Sequence, residues 1–241
     1  MTFLLCDRLN SEKSLECKNI ARKDIHDDRF FLYTIKENNK SYDLLLFYHG
    51  SCDSAWANAL EYTGFSELDD NIITVYGQAS GNIVPSHKHS IYSYTSFGEL
   101  FWEIRDCVKG FDEDLDYTKI VIEIMKKMYD IKKVYFVSHS NGGVFALLMA
   151  VYMSNYFDAI VSHQGGMGFD PHFYVDFSKA SCNKPRMLFY TGTFDIHKKV
   201  CEEAHELFKS EGYDSELYIE NGLEHTYDKA CEPYILNFLK K

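Results

Sequence analysis

The chain has 241 residues, 46% apolar and 16% aromatic, with a formal charge of −11 at pH 7. That composition supplies a sizeable core, and the length suits a single α/β domain, here expected to span 1–241. Acidic residues spread along the whole chain argue against nucleic acid or anionic membranes as partners.

No stretch reaches the roughly 18 consecutive apolar residues of a membrane span. The opening "MTFLLCDRLNSEK" lacks the basic and long apolar regions of a signal peptide. Seven cysteines are scattered without a CxxC pair, which suits free thiols in a reducing compartment. A cytoplasmic location is therefore expected.

Residues 1–28 are polar and carry no clear periodicity. From Arg29 the pattern sharpens, and "RFFLYTI" and "SYDLLLFY" flank "KENNK", which reads as an edge hairpin turning at Asn38-Asn39. "HGSCDSAW" then leads into a predicted helix over 55–62, followed by a buried strand "NIITVY". The segment 77–110 mixes glycine, histidine and aromatics without period. A loop this long in a compact domain is usually functional, so it is expected to form a cap or lid.

The run "DLDYTKIVIEIMKKMYD" puts Ile120, Ile124 and Met128 on one helical face with Val121 and Met125 beside them. Next come a strand "KKVYFVS", a helix "GVFALLMAVYMSN", and strands "FDAIVSH" and "RMLFYTG". A helix over 200–210, a strand "SELYIE" and a helix over 233–239 close the chain. Continuous apolar strands alternating with helices indicate a mostly parallel sheet covered on both faces.

The junction "VSHSNGG" sits between a buried strand and a buried helix, where unsatisfied polar groups are costly. In a parallel sheet, functional groups gather at the carboxyl ends of strands. Ser140 lies just past such an end, with small residues two positions before (Ser138) and two after (Gly142). A nucleophile elbow needs that arrangement, because its sharp turn leaves no room for larger side chains. The bland alternative is a glycine-rich turn in which Ser138 or Ser140 caps the helix. Ser138 as nucleophile is disfavoured, since it should still point along the strand.

A serine hydroxyl needs a base and an orienting acid, which follow this elbow in the order acid, histidine. Asp195 lies in the loop after "RMLFYTG" and His225 in the loop after the last strand. Asp195 could instead cap the following helix; Asp170 and Asp176 are the fallback acids. His163, His197 and His205 are less well placed as the base. His163 ends the strand after the elbow helix and is a candidate substrate contact, as is Trp102. The oxyanion hole should be formed by the backbone N–H groups of Asn141 and of Ser51, with Cys52 as second choice. "HKH" at 87–89 lacks a nearby acidic or cysteine ligand, so no metal is expected.

"LFYHG", "VSHSNGG", "TGTFD" and "GLEH", in that order and spacing, resemble the α/β-hydrolase superfamily. Within it the chain is most similar to the serine esterases that include polyhydroxybutyrate depolymerases and feruloyl esterases, with dienelactone hydrolases more distant. The resemblance spans roughly residues 40–240. It implies Ser140 as nucleophile, Asp195 and His225 as its partners, and no cofactor. Ser138 and the stretch "VYGQASGN" depart from the pattern of that group. With no signal segment in view, the expected substrate is a small-molecule ester or thioester rather than an extracellular polymer. The alternatives are a thioesterase or peptidase-like acyl hydrolase, or a non-catalytic binding protein on a hydrolase scaffold.

Overall fold

The computed structural model describes residues 20–26, 29–36, 41–51, 53–62, 64–79, 102, 109–167 and 175–241. Among these residues eight strands form one sheet: β1 (Ile20–His26), β2 (Arg29–Thr34), β3 (Tyr42–Tyr48), β4 (Ile72–Gly77), β5 (Ile131–His139), β6 (Ala159–His163), β7 (Arg186–Gly192) and β8 (Ser215–Glu220). Their order across the sheet is β1-β2-β4-β3-β5-β6-β7-β8. From β4 to β8 every neighbouring pair is parallel.

The antiparallel edge is present but is built differently from the sequence expectation. β2 does not fold back on β3; it pairs with β1 on one side and with β4 on the other, both antiparallel. The difference follows from burial. β3 is apolar on both faces, with Leu44, Leu45, Leu46, Phe47 and Tyr48 all buried, so it takes an interior position between two parallel strands. β2 buries only Phe31 and Leu32 fully, which suits a strand nearer the edge. The predicted turn at 38–39 lies outside the described residues.

Among the described residues four longer helices cover the sheet: α1 (Lys109–Met128), α2 (Asn141–Tyr152), α3 (Lys198–Ser210) and α4 (Glu232–Leu239). On one face Val121 and Met125 of α1, Val144–Val151 of α2 and Ala204 and Phe208 of α3 pack over Leu44, Leu46, Val134 and Phe136. On the other, Ala55, Phe65 and Ile235, Phe238 and Leu239 of α4 pack over Leu45, Phe47, Tyr135 and Val137. Successive strand residues thus serve opposite cores, as the two-residue pleat requires. The predicted helix over 55–62 is a short α-turn capped by Ser54 that widens into a π turn.

The buried stripe of α1 is rotated from its predicted position. Tyr117, Thr118, Val121, Ile122 and Met125 are buried, while Met128 is 42% exposed. α2 is buried nearly all round, as expected of a helix lying over the sheet centre. The predicted cap, 77–110, lies almost entirely outside the described residues.

Candidate active site

The parallel register brings the carboxyl ends of four strands to one rim. Tyr48 of β3 pairs with Ser138 of β5, His139 with His163 of β6, and His163 with Tyr190 of β7. Each of the loops that follow then leaves the sheet at the same level.

Ser140 occupies the turn between β5 and α2 with φ 55° and ψ −115°. A non-glycine residue there costs about 1–3 kcal/mol and persists only where its surroundings enforce it. The enforcement is visible. The Ser140 N–H donates to the carbonyl of His163 at 2.9 Å, and its carbonyl accepts from Val144 N–H at 3.0 Å. A Cβ on Gly142 would lie 2.6 Å from the carbonyl oxygens of both Tyr48 and His49, so only glycine allows the β3 loop to press against this turn. Ser138, the departure from the usual glycine, is fully buried and donates its hydroxyl to the Val161 carbonyl at 3.2 Å. Its hydroxyl is satisfied within the sheet.

The three residues expected to act together are in line. The Ser140 hydroxyl lies 3.0 Å from His225 Nε2, and His225 Nδ1 lies 2.9 Å from Asp195 Oδ1. Asp195 comes from the loop after β7. Its Oδ1 also accepts the His197 N–H at 2.9 Å, and its Oδ2 accepts the Thr191 hydroxyl at 2.7 Å. Burial pushes this carboxyl up, but the bonds from His225, His197 and Thr191 outweigh that, and its pKa lies below the usual carboxylate value. The fallback acid Asp176 instead caps a short 3-10 turn by accepting from Ser178; Asp170 lies outside the described residues.

The chain shares its architecture with known hydrolases. A family model described as an alpha/beta hydrolase of unknown function (DUF915) matches residues 102–160, which include α1, β5, the Ser140 turn and α2. An uncharacterized hydrolase of Acanthamoeba polyphaga mimivirus is 24% identical over 88% of this chain and 75% of its own. Among solved structures, the hyperthermophilic esterase from the archaeon Pyrobaculum calidifontis superposes with a TM-score of 0.68 at 13% identity, covering 96% of this chain and 90% of that one. A ferulic acid esterase gives 0.61 at 15% identity, covering 91% and 95%.

This is the α/β-hydrolase fold.

Within that fold the β3 loop lies against the elbow, since a Cβ on Gly50 would stand 3.2 Å from Ser140 Cβ. Asn141 is the first residue of α2, where backbone N–H groups have no intrahelical acceptor. Ser51 is half-buried at the end of the β3 loop; Cys52 lies outside the described residues. His49 is buried, donates Nδ1–H to the Gly50 carbonyl at 2.7 Å and accepts from Ala79 N–H at 3.2 Å. Burial lowers its pKa to about 4, so it holds the loop as a neutral ring.

The two residues expected to touch substrate are both buried. Trp102 is fully buried, stacked on Tyr48 at 3.9 Å, with Nε1–H donating to the His49 carbonyl at 3.1 Å. Its backbone N–H and carbonyl are both held by the Asn141 side chain. His163 is also fully buried, stacked on Tyr190 at 4.9 Å, and burial holds its pKa well below the ordinary value. Neither ring has an exposed edge in this structure.

Sequence reasoning passed over Thr191 and His139 as neighbours of the site and weighed His197 only as a less well placed base. Thr191 fixes the far oxygen of Asp195. His197 sets its ring edge-on to His225 at 4.6 Å, and burial lowers its pKa. His139, directly before Ser140, stands 5.4 Å from the His225 ring, and burial lowers its pKa to about 4. Both rings are therefore neutral beside His225 at neutral pH. The available signal was closeness in sequence: His139 adjoins Ser140, and His197 lies two residues after Asp195.

Among the described residues no group of three or more His, Cys, Asp or Glu side chains could hold a metal ion. No helix among them is long and apolar enough to cross a membrane.

Proposed function

We propose that this chain is a serine hydrolase that cleaves carboxylic esters through an acyl-enzyme on Ser140, with His225 as base and Asp195 as orienting acid. The observation that carries this reading is the unbroken hydrogen-bonded line from Ser140 Oγ through His225 to Asp195. The strained elbow and the similarity to esterases support it.

The chemistry follows from the geometry. Asp195 accepts the proton-bearing Nδ1 of His225, which leaves the Nε2 lone pair facing the hydroxyl. As Oγ attacks the ester carbonyl, its proton passes to Nε2, and the carboxylate stabilises the imidazolium. The backbone N–H groups of Asn141 and Ser51 receive the oxyanion, aided by the positive end of α2. Collapse of this intermediate expels the alcohol, which takes the proton from Nε2. Water then gives a proton to the same nitrogen as it attacks the acyl-enzyme; the acyl–Oγ bond breaks, Ser140 Oγ takes the proton back from Nε2, and the acid leaves.

The test is a fluorophosphonate probe followed by intact-mass spectrometry and peptide mapping. Wild-type protein should gain one adduct on Ser140, and Ser140→Ala should gain none. Folded wild-type protein that stays unlabelled would sink the reading. A panel of p-nitrophenyl esters, acyl thioesters and peptides then separates the acyl groups this machinery serves.

A further inference from the structure

Among the described residues only two non-glycines have a positive φ: Ser140 at 55° and Gln164 at 56°. Strain at the first is explained by the elbow. Gln164 lies one strand away, directly after β6, and is fully buried. Its conformation is one that glycine adopts freely and other residues adopt only when held. Its side chain shows what holds it. Oε1 accepts the Nε2–H of His139 at 3.0 Å, and the amide nitrogen donates to the carbonyl of Glu224. Its backbone N–H donates to the Tyr190 carbonyl at 2.7 Å.

Those partners are not scattered. His139 immediately precedes Ser140, Glu224 immediately precedes His225, and Tyr190 lies at the end of the strand that leads to Asp195. A backbone carbonyl can only accept, so the Gln164 amide has one orientation, and its oxygen must face the His139 ring. His139 Nε2 then carries the hydrogen and is the donor.

We propose that Gln164 is a positioning residue that clamps the His225 loop onto the Ser140 elbow and so sets the distance between imidazole and hydroxyl. This rests on the serine-hydrolase reading for its kinetic consequence but not for its structural one. The bridge joins the Ser140 elbow to the His225 loop, 85 residues apart in the chain, through a single planar group. It also accounts for the strained backbone: the left-handed conformation at the strand end aims the amide across the gap between the loops.

The experiment compares wild type with Gln164→Gly, which relieves the strain and removes the bridge, and Gln164→Met, which keeps the length and the strain without the hydrogen bonds. The readouts are melting temperature, hydrogen exchange in the loop containing residues 222–228, the rate of Ser140 phosphonylation, and kcat and KM on p-nitrophenyl acetate. The glycine variant should melt within about 5 °C of wild type, exchange faster at 222–228, and react about 10–100-fold more slowly. The loss should fall on kcat, with KM little changed. Gln164→Met should share the slow reaction. Glycine and methionine variants that react within about twofold of wild type, with unchanged exchange at 222–228, would overturn the proposal. Should the wild type resist the probe, the hydrolase reading falls, and the exchange at 222–228 alone decides whether the clamp exists.

Discussion

Replacing Asp195 with asparagine removes one charge and, in this site, little else. Asp195 Oδ1 accepts two donors, His225 Nδ1–H and His197 N–H, each at 2.9 Å. The backbone N–H of His197 cannot turn into an acceptor. An asparagine amide therefore cannot place its NH2 group there without facing two hydrogens, so its oxygen takes the Oδ1 position. Its NH2 group then faces the Thr191 hydroxyl, which can rotate to accept. The tautomer of His225 is kept, and only the attraction between carboxylate and imidazolium is lost.

That attraction sets the magnitude. With charge centres about 4 Å apart and an effective dielectric near 20, Coulomb's law gives about 4 kcal/mol. At about 1.4 kcal/mol per decade this is a loss of roughly 10³-fold in the acylation rate. The assay is the second-order rate of Ser140 phosphonylation, paired with kcat on p-nitrophenyl acetate. A parallel consequence concerns stability. The Asp195 pKa is lowered by folding, so the stability it contributes is present above the ordinary carboxylate value and fades as pH falls through the folded one. Asp195→Asn should lose that acid-side dependence. A rate within tenfold of wild type would refute the Asp195 charge as the stabiliser of the His225 imidazolium.

Glu232 and Gly142 supply two further tests. Glu232 is buried at the start of α4, where both carboxylate oxygens accept the Gly64 N–H and one accepts the Tyr227 hydroxyl. Burial raises its pKa from 4.5 to about 7, so its contribution is fully present below 4.5 and is lost as pH rises through 7, by at most about 3 kcal/mol. Glu232→Gln should therefore gain melting temperature relative to wild type between pH 5 and pH 8; a difference that stays constant over that range contradicts the assignment. Gly142→Ala drives a methyl group to 2.6 Å from two carbonyl oxygens and should cost about 1–3 kcal/mol by denaturant titration, with slower labelling of Ser140. Unchanged stability would mean that the β3 loop does not press on the elbow.

The interior parallel strands were legible because they are buried on both faces over most of their length, and continuous apolar runs such as "LLLFY" and "RMLFYTG" have few other uses in a chain of this length. Pairing at the edge was not legible. β2 and β3 adjoin in sequence, and a turn-like "KENNK" suggests a hairpin, yet the register of a half-buried strand depends on neighbours that local pattern does not name. The stripe of α1 was misjudged for a related reason. Ile120, Val121, Ile122, Ile124 and Met125 make the helix apolar over a wide arc, and only the sheet decides which part is covered. Thr118 and Asp114 are buried there because Thr118 bonds Tyr48 and the Asp114 carbonyl, and Asp114 bonds Arg29.

The candidate site was legible to the extent that topology alone carries it. Serine, acid and histidine were picked out as the polar residues that follow β5, β7 and β8, and a parallel sheet must bring those loops to one rim. What holds them in place is a different kind of information. Thr191, His139 and Gln164 act through hydrogen bonds whose direction depends on side-chain conformation, and no spacing rule marks them. Trp102 was named as a candidate substrate contact for its aromatic ring and His163 for its place at the end of the strand after the elbow helix, and both rings are fully buried. The same physics accounts for Ser138. Its hydroxyl needs an acceptor inside the sheet and finds one in Val161, so a serine can stand where the elbow asks only for a small residue. The departure from the usual glycine is thus satisfied two residues from the hydroxyl proposed to react, and it leaves the line from Ser140 to Asp195 intact.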